Sequence, residues 1–225
     1  MRDQLIGATV PVLSVSLEPG ECVMAEAGEF AWMTDSIQMS AGPSVGSGPP
    51  LSTYTAKGAA GTVAFAARLP GSILPVEVGH GREFLVHQHG FLAGTPGVQL
   101  SAGFRQAFSA GLFARHGFRL QRIGGQGRAW VELVGEPVRH ELAAGQSLRA
   151  HPGHVGLFES TVAFQMMRVP GMVNRYFGGD THHFGVLSGP GTVWLQSVPL
   201  PVLAAELAPY LPHPPPSTAT SRSET

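Results

Sequence analysis

The chain has little cysteine and no long apolar run. Its only cysteine, Cys22, excludes an intramolecular disulfide and a cysteine-rich zinc site, and it is consistent with a reducing compartment. No run of about 18 apolar residues is present, and the N-terminal segment does not have the features of a signal peptide. We therefore expect no transmembrane segment and a cytoplasmic location.

Charge is also scarce. Charged residues make up 13% of the chain, against about 25% in a typical soluble domain. The formal net charge is −1, so the protein as a whole has no strong field that would attract nucleic acid or an anionic lipid surface. Any such binding would have to depend on a local group of residues.

The residues that are abundant favour turns and strands. The chain contains 30 glycines and 19 prolines. Short segments in which apolar and small or polar residues alternate recur along it, as in Val12–Leu17, Thr62–Phe65 and Thr192–Leu195. Alternation with a period of two, bounded by Gly and Pro, is typical of β-strands. Only Leu203–Tyr210 could compete as a helix, so the sequence predicts an all-β fold with little helix.

Two sets of glycines indicate an internal repeat. Gly28, Gly90 and Gly153 follow similar strand segments at intervals of 62 and 63 residues. A second set, spaced by 66 and 64 residues, begins similar strands at Gly61, Gly127 and Gly191. Agreement between two sets predicts a repeated fold, and glycine reaches positive φ at tight turns with little strain.

We therefore expect a single domain over residues 1–208, built from three units at about 17–76, 77–141 and 142–200. The units should form a β-sandwich or prism with Greek-key-like connections and a pseudo-threefold arrangement, in which Gly28, Gly90 and Gly153 occupy equivalent turns. The segment 209–225 is rich in Pro, Ser and Thr, a composition that predicts a disordered tail.

Several segments, in this order along the chain, resemble the altered-inheritance-of-mitochondria twenty-four family, and the similarity covers about residues 12–198. The segments are Leu17–Glu21, Ala27–Met33, Leu69–Pro75, Phe108–Phe113, Gly117–Gln121 and Gly189–Gln196. The resemblance implies a repeated β-sandwich like that of the trp RNA-binding attenuation protein, oligomer formation and no enzymatic activity. It supplies no catalytic residues. Mitochondrial relatives are linked to inner-membrane organisation.

Histidines are the candidates for a metal site. His87 and His89 lie two residues apart on a predicted strand, as in the first half of a cupin metal motif. That motif also needs a nearby carboxylate, yet no acidic residue occurs from Phe84 to Val131. We therefore predict no metal and no other cofactor, with both histidines solvated or hydrogen-bonded. The His182–His183 pair, which follows Tyr176–Asp180, departs from the family pattern and marks a loop that could have a local role.

Charges are unevenly distributed along the chain. Residues 1–56 contain six acidic residues and one arginine. Residues 84–131 contain no acidic residue and five arginines, namely Arg105, Arg115, Arg119, Arg122 and Arg128. These arginines could form a solvated face, an interface with another subunit, or an anion site in which neighbouring phenylalanines stack on bases.

The sequence supports three hypotheses about function. The first is a non-enzymatic oligomeric β scaffold or binding protein with no catalytic residues, which forms a homo-oligomeric ring, such as a trimer, by pairing the acidic first unit with the basic second unit of the next subunit. The second is an RNA-binding module, which rests on fold analogy. The third is a cupin-like metal-dependent enzyme. The ligand and any protein partner are not indicated.

Overall fold

The computed structural model describes residues 1–26, 28–44, 50–106, 117–173 and 181–211. Over these residues the chain forms nineteen β-strands and one short α-helix, which confirms the predicted all-β fold. The strands are β1 Arg2–Ile6, β2 Val12–Leu17, β3 Cys22–Glu26, β4 Phe30–Met33, β5 Ile37–Ser44, β6 Pro50–Ala56, β7 Gly61–Ala66, β8 Gly71–Val78, β9 Phe84–His87, β10 Phe91–Gly94, β11 Val98–Gln106, β12 Phe118–Gly125, β13 Gly127–Val134, β14 Pro137–Leu142, β15 Ser147–Ala150, β16 Val155–Glu159, β17 Ala163–Val173, β18 Thr181–Ser188 and β19 Gly191–Gln196. The helix, α1, spans Leu200–Leu207 and begins three residues before Leu203–Tyr210, the one segment that could compete as a helix.

The strands form four antiparallel sheets, which we number in chain order. Sheet I has the order β1-β2-β7-β4, sheet II β5-β6-β3-β10-β13-β8, sheet III β11-β12-β9-β16-β19-β14 and sheet IV β15-β18-β17. Three buried apolar clusters lie between them, the first between sheets I and II, the second between II and III, and the third between III and IV. The two central sheets are therefore covered on both faces.

The strand order of the sheets repeats. Adding six to each strand number of sheet II gives the order of sheet III. The same operation converts the β4-β7-β2 part of sheet I into the β10-β13-β8 part of sheet II, and the β11-β12-β9 part of sheet III into sheet IV. Each central sheet therefore joins strands from two successive units. The pseudo-threefold arrangement of those units in space stays a prediction.

A β-bulge repeats with the same register. In sheet I the pair Phe30 and Phe65 is followed by the pair Trp32 and Ala64, so that one residue is skipped. The same skip follows the pair Phe91–Val131 in sheet II and the pair Val155–Leu195 in sheet III. Bulges of this kind bend a strand and fix its register. Phe30, Phe91 and Val155 are therefore equivalent positions.

This register corrects the assignment of the first glycine set. Gly28 and Gly153 lie two residues before the equivalent positions Phe30 and Val155, whereas Gly90 lies one residue before Phe91. Only Gly28 of the three has a positive φ, of 100°. The reason for a glycine at position 90 is steric, because an added Cβ atom would lie only 2.9 Å from Nε2 of His87.

A different set of glycines occupies turns of positive φ between equivalent strands. Gly20, Gly81 and Gly145 have φ of 89°, 82° and 81°. They follow β2, β8 and β14 and precede β3, β9 and β15. In each case a backbone N–H donates to a carbonyl three residues earlier, over 2.9 to 3.0 Å. An L-residue with a side chain would be strained at these positions.

Two predicted unit boundaries fall inside strands. The boundary at 76/77 lies within β8, all of which pairs with β13 of the second unit, and the boundary at 141/142 lies within β14. Of the predicted tail, 209–211 belongs to the described chain and 212–225 lies outside it. Within the described part of the chain, no helix is long and apolar enough to span a membrane.

Candidate functional site

Three buried glutamates surround one arginine beside the ends of β3 and β7. Glu26, Glu29 and Glu132 are 1%, 3% and 4% exposed, whereas the Arg68 side chain is 43% exposed. Glu26 ends β3, Glu29 precedes β4, Arg68 follows β7 and Glu132 lies in β13. We call this group, together with Gln121 of β12, the Arg68 cluster. Charged residues are rarely this buried without partners, which makes the cluster a candidate site.

Arg68 contacts the carboxylates at both ends of the β3–β4 connection. One guanidinium nitrogen, Nη2, forms an ion pair with Oε1 of Glu29 and lies 3.8 Å from Oε2 of Glu26. Both Glu26 oxygens and Oε2 of Glu29 are buried and accept no hydrogen bond of ordinary geometry from the described residues, and the Gln121 amide is near enough to Glu26 to act as a weak donor. Burial raises the pKa of Glu26 from 4.5 to about 7, against the opposing effects of Arg68 and Gln121.

Glu132 has a structural contact of its own. Its Oε1 accepts hydrogen bonds from the backbone N–H groups of Arg68, at 3.0 Å, and Leu69, at 3.4 Å. Burial raises the pKa of Glu132, and these hydrogen bonds and the charge of Arg68 oppose that rise. Gln196 is the sixth residue of β19, as Glu132 is of β13, and its Oε1 accepts from the N–H of Val134 at 3.1 Å. At the equivalent position, a neutral amide therefore accepts the backbone hydrogen bond that a carboxylate accepts at Glu132.

We expect Glu132→Gln to leave the free energy of unfolding within about 1 kcal/mol of the wild type, because Gln keeps an acceptor oxygen. Glu132→Ala removes the acceptor from two backbone N–H groups and should cost about 2 kcal/mol. Urea denaturation at pH 7 measures both values. Equal losses in the two variants would show that these hydrogen bonds do not explain the burial of Glu132.

His87 borders the Arg68 cluster. Its Nε2 lies 3.1 Å from the backbone oxygen of Glu132, so Nε2 carries the proton and donates. Burial lowers the pKa of His87 to about 4, and the hydrogen bond opposes this while His89 and Arg68 add to it. His87 is thus hydrogen-bonded, as expected. The described residues contain no group of three or more His, Cys, Asp or Glu side chains arranged to hold a metal ion; the absence of a metal or other cofactor stays a prediction.

The four arginines of residues 84–131 that the structure describes do not share one environment. Arg122 is paired with Glu83 at 2.7 Å, and Arg128 with Glu77 at 2.6 Å and with Asp3 at 2.8 Å. Arg105 is exposed, the Nε of Arg119 is buried, and Arg115 lies outside the described residues. Part of the opposed charge is thus neutralised within the chain. RNA binding stays a hypothesis that none of these contacts favours.

The His182–His183 pair lies in β18, after a segment, Tyr176–Asp180, that belongs to the undescribed residues 174–180. The role predicted for that loop therefore falls outside the described residues. In the register of β17 with β18, Arg168 lies opposite His183, and the regular pairing is interrupted directly after that pair and resumes at Val173 and Thr181.

Each outer sheet ends in an edge strand whose equivalents in the central sheets have a neighbouring strand on both sides. β4 is the edge strand of sheet I and β15 that of sheet IV. Their equivalents are joined in the central sheets, where β10 pairs with β3 and β16 pairs with β9. Phe91 and Ala93 are 1% and 0% exposed in that setting, whereas the equivalent Phe30 and Trp32 are 40% and 54% exposed. An exposed apolar edge strand is a ready template for pairing.

The fold is thus that of an all-β protein built from several antiparallel sheets. A family model described as Mitochondrial biogenesis AIM24 matches residues 4–198, and the chain belongs to this family, as its sequence motifs indicated. It is similar to the solved structure of protein SPYM3_0169 from Streptococcus pyogenes, with a TM-score of 0.77 and 19% identity over 93% of this chain and 99% of that chain. At this identity the likeness shows the fold alone. No curated protein matches the chain. The likeness to the trp RNA-binding attenuation protein stays a prediction.

Sequence reasoning did not find the Arg68 cluster. One signal was available, since Glu132 is the only charged residue in the apolar run Ala129–Val134. A lone carboxylate in a strand buried on both faces needs a partner. The identity of that partner could not be read from the sequence, because Arg68 is 64 residues away.

Proposed function

We propose that the protein is a non-enzymatic scaffold or binding protein that assembles head to tail, with β4 of one subunit adding to β15 of the next. The observation that carries this proposal is the pair of open edges, each of which corresponds to a paired strand in the central sheets. Pairing them would bury the apolar side chains of β4. A contact between two different surfaces gives a ring if its rotation closes, and a ring such as a trimer is our expectation.

The repeat predicts the register of this contact. Val23, Phe84 and Leu148 are equivalent, because each stands opposite a core residue of the next strand, namely Tyr54, Ile123 and Leu187. On their other side, Tyr54, Ile123 and Leu187 pair with Met39, Leu100 and Phe164. Each of these three partners lies two positions after a residue whose N–H donates to a carbonyl three residues earlier, so the three sets are in the same register. In sheet II, the residue two positions after Val23 pairs with the β10 residue that corresponds to Trp32. In sheet III, the residue two positions after Phe84 pairs with the β16 residue that corresponds to Trp32. Trp32 should therefore face Ala150 of the next subunit, and Met33 should face Arg149.

This interface differs from the charge pairing expected from the sequence. Asp3 of the acidic segment 1–56 and Arg128 of the second unit already form an ion pair in one chain. Exposed ion pairs contribute only about 0–1 kcal/mol, whereas apolar burial contributes about 25 cal/mol per Å². The β4 edge, with its exposed Phe30 and Trp32, is thus the better-supported interface.

Assembly can be tested by light scattering. We expect the wild type to have a mass that is a multiple of 23.6 kDa, and Trp32→Asp to be monomeric, since a carboxylate would be buried in the paired edge. Val138→Asp is the matched control, because Val138 is 47% exposed on the edge strand β14 outside this contact. A monomeric wild type contradicts self-association, and an assembled Trp32→Asp variant contradicts this interface.

Cysteine cross-linking tests the register. In a Cys22→Ala background, Trp32→Cys/Ala150→Cys and Met33→Cys/Arg149→Cys place cysteines at the two predicted pairs. Antiparallel pairs alternate between two separations, so one of the two should suit a disulfide. Covalent dimers and larger species are expected after mild oxidation. Met39→Cys/Arg149→Cys, with Met39 exposed on β5, should give none.

A further inference from the structure

The connection between β3 and β4 is held by one guanidinium and two carboxylates that are short of donors. Glu26 ends β3, Glu29 is the residue before Phe30 of β4, and the Glu29 N–H donates to the Glu26 carbonyl at 3.2 Å. Arg68 contacts both side chains. The Arg68–Glu29 ion pair therefore lies one residue away from the β4 edge.

The buried polar atoms of this region contain more acceptors than donors. Among the described residues, four buried acceptor oxygens lack a donor, whereas only one buried nitrogen lacks an acceptor. The oxygens are Oε1 and Oε2 of Glu26, Oε2 of Glu29 and Oε1 of Gln121, and the nitrogen is Nε of Arg119. A buried acceptor without a donor is costly. A proton bound to a carboxylate converts one of its acceptor oxygens into a donor. One proton is therefore the smallest addition that reduces the excess of buried acceptors over donors.

We propose that Glu26 binds a proton reversibly near neutral pH and that this proton holds the β3–β4 connection, and with it the β4 edge, in place. The effect on the edge itself is independent of assembly; only its consequence for subunit association rests on the proposed function.

The surroundings of Glu26 supply little positive charge. Arg68, 3.8 Å away, and the Gln121 amide oppose the rise in its pKa, and the same Arg68 is paired with Glu29 and acts on Glu132 and His87 as well. Arg68 is shared and partly exposed, and His87 is neutral above its pKa of about 4. Burial of Glu26 raises its pKa to about 7.

The repeat shows what a donor does at this position. Ala25 and Val86 occupy equivalent places opposite Ala93 and Leu157, so the next residues, Glu26 and His87, are equivalent too. His87 carries a proton on Nε2 and donates it to a backbone carbonyl. Protonated Glu26 would likewise be a neutral donor, leaving Arg68 to Glu29 alone. Ionised Glu26 would compete with Glu29 for Arg68 and weaken the start of β4.

The proton can be observed directly in unassembled protein, below the concentration at which light scattering detects oligomers. The side-chain carboxyl resonances of ¹³C-labelled glutamate are followed from pH 4 to 9, and the Glu26 signal is assigned in the wild type through its own backbone amide. We expect it to titrate near the pH above which the protection of β4 stops falling. A Glu26 signal that titrates below about pH 5, as a solvated glutamate would, overturns the proposal even if Glu26→Gln does not fold, since the wild type supplies the curve.

Amide hydrogen exchange of residues 30–33, corrected for the intrinsic rate, then tests the coupling to β4. Protection in the wild type should fall about tenfold between pH 5 and 6 and level off above pH 7, as the ionised fraction grows and then saturates. It should change less than about twofold in Glu26→Gln and follow the wild type in Glu206→Gln, which removes an exposed carboxylate of α1. Equal pH dependence in wild type and Glu26→Gln overturns the proposal. If the protein assembles, association should weaken at pH 8 in the wild type alone; if it does not assemble at any pH, the scaffold proposal fails while the proton measurement stands.

Discussion

Replacing Trp130 with alanine is expected to lower the free energy of unfolding by about 3–5 kcal/mol. Trp130 is fully buried in the cluster between sheets I and II, and its Nε1 donates to Oδ2 of Asp3 at 3.2 Å. Truncation would remove the ring from a close-packed interior and leave a cavity that the surrounding strands cannot fill. Chemical denaturation at fixed pH and protein concentration measures the loss.

Tyr210→Ala is the control for this prediction, because Tyr210 is 85% exposed and lies outside all three clusters. It should change stability by less than about 0.5 kcal/mol. Trp130→Phe should fall between the two, since it keeps a ring but loses the hydrogen bond to Asp3. A loss below about 1 kcal/mol in Trp130→Ala would mean that sheets I and II can close around the missing ring.

The alternating segments were reliable guides to the strands. Val12–Leu17 forms β2 with the predicted bounds, and its odd-numbered residues are buried at Leu13, Val15 and Leu17. This sheet packs on one face, so alternation is visible in the sequence. In β13, Trp130 points into the first cluster and Val131 into the second. Both faces are covered there, and alternation disappears.

Glycine spacing predicted where three corresponding strands begin, but it did not predict the register of the first glycine set. The set Gly61, Gly127 and Gly191 does begin the three equivalent strands β7, β13 and β19. Gly90 was assigned one residue away from its equivalents, because a glycine can serve either a positive φ or a close contact and the sequence does not distinguish them. Only strand pairing, with its repeated bulge, separates the two uses.

The Arg68 cluster and the ion pairs depend on long-range contacts that composition cannot show. Counting charges along the chain placed Asp3 and Arg128 in opposed regions, whereas folding brings them to 2.8 Å across 125 residues. Glutamates at positions 26 and 29 were counted as part of an acidic surface, yet both are buried. A glutamate is normally solvated, so its burial had to be observed.

Glu26→Gln is expected to stabilise the protein above pH 7 and to have little effect in acid. Glu26 has a pKa raised to about 7 in the folded protein by burial, from a value of 4.5. Below about pH 4.5 the residue is protonated in both states and costs nothing. As pH rises towards 7 the unfolded state loses the proton first, so wild-type stability falls until the folded state ionises as well.

The size of the effect follows from the same two values. Each pKa unit corresponds to about 1.4 kcal/mol, so the variant should exceed the wild type by about 3 kcal/mol at pH 8 and by less than about 0.5 kcal/mol at pH 4. Urea denaturation in dilute, unassembled protein at these pH values measures both differences. Glu206→Gln, on the exposed surface of α1, controls for the loss of one negative charge. A constant difference across this pH range would show that Gln acts through packing rather than by removing a buried charge.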